Sequence, residues 1–200
     1  TWMNKWAGGH PIYLATARGN RITDVDGCEY VDFALGDTGA MAGHSPEATV
    51  KAVQQRIGVE GGITTMMPSA DAEWVAADLT RRFGLPLWSF ALTATDANRW
   101  ALRLARMVTD RPRVAAFSYC YHGSVDETFV QMGPDGETQI RQGNVGAPSA
   151  ITDTTRAVAF NDLASVERAL AHGDVAVLIM EPALTNIGIV LPEPGFLEGV

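Results

Sequence analysis

From residue 87 onward the chain alternates compact apolar runs with amphipathic stretches, and this pattern constrains the fold more than any other feature. The runs 87-LWSFAL-92, 113-RVAAFS-118 and 174-DVAVLIME-181 are apolar almost throughout. A strand with one wet face would alternate instead, so runs of this kind are expected to be buried on both faces. Helical patterns lie between them, at 96–109 and at 162-DLASVERALAH-172. Strand, helix and strand in turn predict an α/β fold, a mostly parallel sheet with helices on both faces.

The first part of the chain reads differently. The segments 12-IYLA-15, 21-RITDVD-26 and 29-EYVDF-33 are short, rich in β-branched and aromatic residues, and separated by turns. Asp26-Gly27 is a hairpin signal, so a small antiparallel meander is expected here. A Gly-rich stretch, 36-GDTGAMAGHSP-46, leads to Pro46, which suits a first helical position, and a helix is predicted over 46–57. A loop over 58–69 and an amphipathic helix over 70–83 follow. The expected organisation is an N-terminal segment over 1–57 and the first part of a larger α/β domain over 58–200. The polar stretch 131–149 is longer than loops in compact domains usually are, so it is expected to be mobile or functional.

Composition narrows the function. Hydrophobic residues make up 46% and charged residues 19% of 200, the balance of a folded globular chain. The net charge of −8 argues against nucleic acid or an anionic membrane as a partner. No apolar run approaches the 18 or so residues of a membrane span. Cys28 and Cys120 are the only cysteines, without CxxC spacing, so neither a disulfide framework nor a metal site is expected, and a reducing cytoplasm is.

Three places could carry chemistry, and each lies at the carboxyl end of an expected strand, where open α/β sheets bind ligands. In 93-TATDA-97 an apolar run hands over to a helix. Thr93 with Asp96 three residues on is a capping-box spacing; free N–H groups and two hydroxyls at a helix start also suit an anion. No GxGxxG or GxxxxGK[ST] motif occurs there. In 119-YCYHG-123 an aromatic could stack on a flat ring or simply close the sheet end. In 180-MEPALTNIG-188, Glu181 leaves a buried run and needs a partner, and Asn186 sits in a turn-rich segment.

Together these stretches resemble the class III pyridoxal-phosphate aminotransferases, in particular the glutamate-1-semialdehyde 2,1-aminomutase-like branch. The resemblance runs through 8-GGHPIYLATARGNRITDVDGCEYVDF-33, 43-GHSPEATVKAV-53, 93-TATDANRWALRLAR-106, 120-CYHG-123, 161-NDLASV-166, 181-EP-182 and Asn186. It implies the N-terminal half of a fold-type I PLP-dependent transferase. It also implies that pyridoxal 5'-phosphate is the cofactor, with its phosphate on the backbone at Ala94 and Thr95 and on the Thr95 hydroxyl. Tyr121 would stack on the ring, Asn186 would contact its phenolic oxygen, and Glu181 would support the site. Ala94 stands where the family has Gly, adding a Cβ close to the phosphate. Asp37 stands where the aminomutase branch has a Trp at the mouth of the site, and it is either a turn residue or a specificity residue that disfavours a distal carboxylate. The loop at 131–149 falls where that branch has a gating loop.

The chain has two lysines, Lys5 and Lys51, and neither matches the family's catalytic position. The resemblance therefore places the Schiff-base lysine beyond Val200, and this chain by itself is expected to be inactive. The expected parent is a cytoplasmic, homodimeric transaminase with the active site at the subunit interface, acting on a small amino donor and a keto or aldehyde acceptor. An aminomutase, a non-catalytic binding protein on the same fold and an unrelated nucleotide-binding α/β domain are the alternatives.

Overall fold

The computed structural model describes residues 11–36, 38–64, 66–146 and 150–200. It divides into two units, the first ending at Gly84 and the second running Leu85–Val200.

The first unit opens with the expected meander: β1 (Leu14–Arg18), β2 (Arg21–Asp24) and β3 (Glu29–Val31), antiparallel and in that order. Its second turn is built by Asp24. That carboxylate accepts from Asp26 N at 3.0 Å, Cys28 N at 2.8 Å and the Tyr30 hydroxyl at 2.9 Å. The bond from the Cys28 amide is the main reason the Asp24 carboxyl is held below the usual carboxylate range, and Asp24 in turn pushes the Tyr30 phenol up to about 12. Helix α1 (Glu47–Gln55) begins one residue later than expected, with Pro46 as its N-cap. It passes into a π-helical turn, Arg56–Glu60, closed by Gly61 N bonding Arg56 O at 2.7 Å and by an Arg56–Glu60 ion pair at 2.8 Å. Helix α2 (Ala70–Phe83) has the expected span. Ser69 caps its start, accepting from Ala72 N at 3.2 Å, and Gly84 in the left-handed region ends it.

The second unit is a three-stranded parallel sheet in the order β7-β4-β8, formed by β4 (Arg113–Phe117), β7 (Thr155–Val158) and β8 (Val175–Ile179). Helix α3 (Ala94–Thr109) covers one face, where Leu102 meets Val114, Val125, Val177 and Ile179. Helix α4 (Leu163–Leu170) and the short α5 (Phe196–Gly199) cover the other. There Phe117, Phe160 and Phe196 pack edge to face at centroid distances of 5.0–5.9 Å, around Val158, Val166, Ala169 and Leu184. The α/β architecture with helices on both faces and a preceding meander is as expected.

Three local expectations are corrected. The run 87–92 is not a strand: both sides of β4 are taken, this run has no ladder partner among the described residues, and Leu87 and Leu92 are 88% and 99% exposed. Second, the sheet contains β7, which polar Thr155 and Arg156 hide in the sequence. The Arg156 guanidinium is neutralised by both oxygens of Asp174, one at 2.8 Å from Nη2, and donates to Ala169 O at 2.9 Å. Third, the long loop begins with a hairpin, β5 (Val130–Met132) and β6 (Thr138–Ile140), turned at Gly133-Pro134-Asp135-Gly136. It covers the outer edge of β7, where the Thr138 hydroxyl accepts from Ala157 N at 2.9 Å.

Candidate active site

The handover from residue 92 to α3 is an ordinary capped helix start that also leaves donors free. Thr93 Oγ1 accepts from Asp96 N at 3.1 Å and donates to Asp96 Oδ2 at 2.9 Å. Ala97 N is bonded to Thr93 O at 3.1 Å. The N–H groups of Ala94 and Thr95 have no partner among the described residues, as expected in the first turn of a helix. Their dipoles align with the positive end of the helix.

Thr95 is fixed against the turn that follows β4. Its Oγ1 accepts from Ser124 N at 3.0 Å and lies 3.5 Å from Ser124 Oγ, where either hydroxyl can be the donor. Asn98, one turn along α3, donates from Nδ2 to His122 O at 3.0 Å. Gly123 makes the close approach possible. It lies at φ +78°, and a Cβ built there would fall 3.0 Å from both the Cα and the N of Thr95. Tyr119, at φ +68°, starts the same turn, which presents Tyr121 with 45% of its surface exposed.

The third segment joins from β8. Asn186 sits in a tight loop closed by reciprocal Leu184–Val190 backbone bonds at 3.0 and 2.9 Å, and its Nδ2 donates to Tyr119 O at 3.3 Å. Glu181 accepts from the Thr185 hydroxyl at 2.7 Å through Oε1, while Oε2 is buried without a partner among the described residues. Burial, ahead of the Glu181 charge, pushes the Cys120 thiol up to about 11. His122, 7% exposed, has an unpartnered Nε2, and desolvation holds its imidazole below the ordinary range, with the Glu181 charge working against the shift. Burial therefore favours the neutral imidazole.

Ala94, Thr95, Tyr121, Glu181 and Asn186 thus meet at one end of the sheet, on segments bonded to one another. Asp37 lies outside the described residues. Sequence reasoning missed Asn98, His122, Gly123 and Arg141, whose Nη1 donates to Cys120 O at 2.9 Å. Gly123 was the legible one, as a glycine directly after an aromatic stretch at a strand end marks close backbone approach.

The model for "Aminotransferase class-III" matches residues 2–200. The chain belongs to the class-III aminotransferase family. The similar proteins are consistent with this. A glutamate-1-semialdehyde 2,1-aminomutase of Gemmatimonas aurantiaca is 36% identical over 193 residues, covering 96% of this chain and 44% of its own length. A crystal structure of a glutamate-1-semialdehyde aminomutase from Pseudomonas aeruginosa PAO1 superposes with a TM-score of 0.92 at 48% identity, over 99% of this chain and 43% of that one. That enzyme has also been solved in complex with PMP. An omega-transaminase from Sphaerobacter thermophilus superposes with a TM-score of 0.86 at 31% identity, over 96% of this chain and 46% of that one. This class-III aminotransferase chain therefore spans a little under half the length of the relatives it matches.

Proposed function

We propose that the chain is the phosphate- and ring-binding part of a pyridoxal-phosphate-dependent aminotransferase that moves an amino group between an amino compound and a keto or aldehyde acceptor. The observation that carries this reading is the α3 start. Two unpartnered N–H groups and the Thr95 hydroxyl are held at the end of a parallel strand, against a glycine whose missing side chain keeps the approach open. The residues fit the group. Ala94 and Thr95 would hold its phosphate, Tyr121 its ring face and Asn186 its phenolic oxygen. Glu181, bonded to the Thr185 hydroxyl, would support the site from the β8 end.

Pyridoxal phosphate, when bound, supplies an electron sink for the carbon that loses its proton and a carrier for the amino group. The residues of this chain bind and orient. Micromolar retention needs about 8 kcal/mol. A helix N-terminus contributes about 0.3–2 kcal/mol, and an aromatic stack about 0.5–1.5 kcal/mol beyond area burial. These do not reach the requirement, so a covalent link is needed from elsewhere in the full-length protein. Lys51 does not provide it: it is exposed on α1 and paired with Glu47 at 2.5 Å. Thr95→Ala in the full-length protein is expected to weaken cofactor retention by about 1–3 kcal/mol, read by equilibrium dialysis. Unchanged retention with a lower melting temperature would leave Thr95 as a helix residue only.

The aminomutase relatives favour a second reading, transfer of the amino group within one molecule. Asp37 bears on the choice, because a carboxylate facing the pocket would repel a substrate's distal carboxylate. Asp37→Asn is then expected to raise kcat/KM for amines with anionic tails relative to those with neutral or cationic tails. An equal change for all three assigns Asp37 a structural role.

A further inference from the structure

The amino end of the parallel sheet, opposite the strand ends that lead to Tyr121 and Asn186, is the edge of a cavity of about 400 Å³. Met132 and Ala157 give it an apolar side. Arg113 from the start of β4, Arg156 from β7, Arg168 from α4 and His172 just past that helix line the rest. The charges there are not matched pair by pair. Asp174, just before β8, accepts from the Arg156 guanidinium through both carboxylate oxygens. The same carboxylate is reached by Arg113 Nε at 3.1 Å, so two guanidiniums share one counter-charge. The Nη groups of Arg113 have no partner among the described residues. Arg168 comes only to 3.7 Å of Asp162, beyond hydrogen-bond length, and its side chain is 65% exposed. The one carboxylate on the cavity wall is Glu137, which accepts from Gln139 Nε2. Cations therefore outnumber carboxylates on this wall, in a chain whose net charge is −8. The negative end of α4 is covered, because Arg156 Nη1 donates to Ala169 O at 2.9 Å.

We propose that this cavity binds a small organic phosphate, at a site separate from the cofactor's. Three guanidiniums reach it from three elements. A phosphate has oxygens on every side to accept from them, whereas a carboxylate presents two in one plane. The volume is in the range of small-molecule sites, which leaves room for an organic group against Met132 and Ala157. None of these residues belongs to the candidate active site, which lies past the other ends of the same strands.

The test is calorimetric titration of the full-length protein, loaded with pyridoxal phosphate so that the cofactor site is filled, with inorganic pyrophosphate as the probe. Wild type is expected to bind it with a submillimolar Kd and to keep its cofactor absorbance band. Arg168→Gln should weaken binding by about 10-fold, the scale of a lost bond between charged groups, and Arg168→Glu should abolish it. Arg168 is the residue to change because its exposure and loose ion pair leave the fold intact. Arg82→Glu makes the same change of charge on α2, in the other unit, and should bind as wild type does. Succinate should bind at least about 10-fold more weakly than pyrophosphate. No binding by wild type, an equal loss in Arg168→Glu and Arg82→Glu, or displacement of the cofactor by pyrophosphate overturns the site. Succinate bound as tightly as pyrophosphate overturns the phosphate assignment.

Discussion

Replacing Gly123 with alanine should destabilise the full-length protein by about 2–5 kcal/mol and remove most of its cofactor affinity. Two costs add. Gly123 sits at φ +78°, where a side chain costs about 1–2 kcal/mol. The new Cβ would also fall 3.0 Å from the Cα and N of Thr95, and backbone at a helix start cannot rotate aside as a side chain can. Relief requires moving the α3 start away from the turn, which costs about 1–3 kcal/mol more and breaks the Ser124–Thr95 bond. Gly27→Ala is the control. It has φ +83° but nothing within 4 Å, so only the conformational cost applies. Urea unfolding and cofactor titration of both variants check the expectation. A Gly123→Ala protein no less stable than Gly27→Ala, with normal cofactor binding, would show that the close approach is not needed.

Residues 1–200 produced by themselves should give a protein that binds a hydrophobic dye and lacks a cooperative unfolding transition. The first unit has no buried hydrophobic side chain among its described residues; Asp24 alone is buried there. Phe33, Trp74 and Phe83 are exposed in it, as are Leu87, Leu92, Trp100 and Met107 in the second unit. A monomer rarely tolerates contiguous apolar surface beyond a few hundred Å². Strand β8 is paired only with β4, so its other edge is unpaired among the described residues and open to association. Calorimetry and denaturant titration read the outcome. A single sharp transition from a monomer, with a slope suited to its size, would contradict it.

The elements that were legible are those whose signal is local. Asp26-Gly27 marks a turn through glycine's access to positive φ, and the Asp24 carboxylate completes it within a few residues. The α2 span follows from Ser69 at one end and Gly84 at the other. The Thr93–Asp96 cap is a three-residue spacing, and the site segments could be found because strand ends and helix starts are where ligands meet open sheets.

What failed to be legible depends on distant partners. The run 87–92 has the composition of a buried strand, yet a strand exists only where another chain segment completes its ladder. Strand β7 carries an arginine that is affordable only because Asp174, 18 residues away, meets it. The placement of Arg141 has no sequence mark; it depends on a hairpin turning it back onto a carbonyl 21 residues earlier. The sequence by itself determined the α/β class, the helix caps and the family, because periodicity, turn chemistry and motif order act over a few residues. The tertiary structure alone decided which strands pair, that Gly123 must admit Thr95, and that buried groups of Cys120, His122 and Glu181 lie at one end of the sheet. Hydrogen-bond partners, steric approach and desolvation are set by neighbours in space.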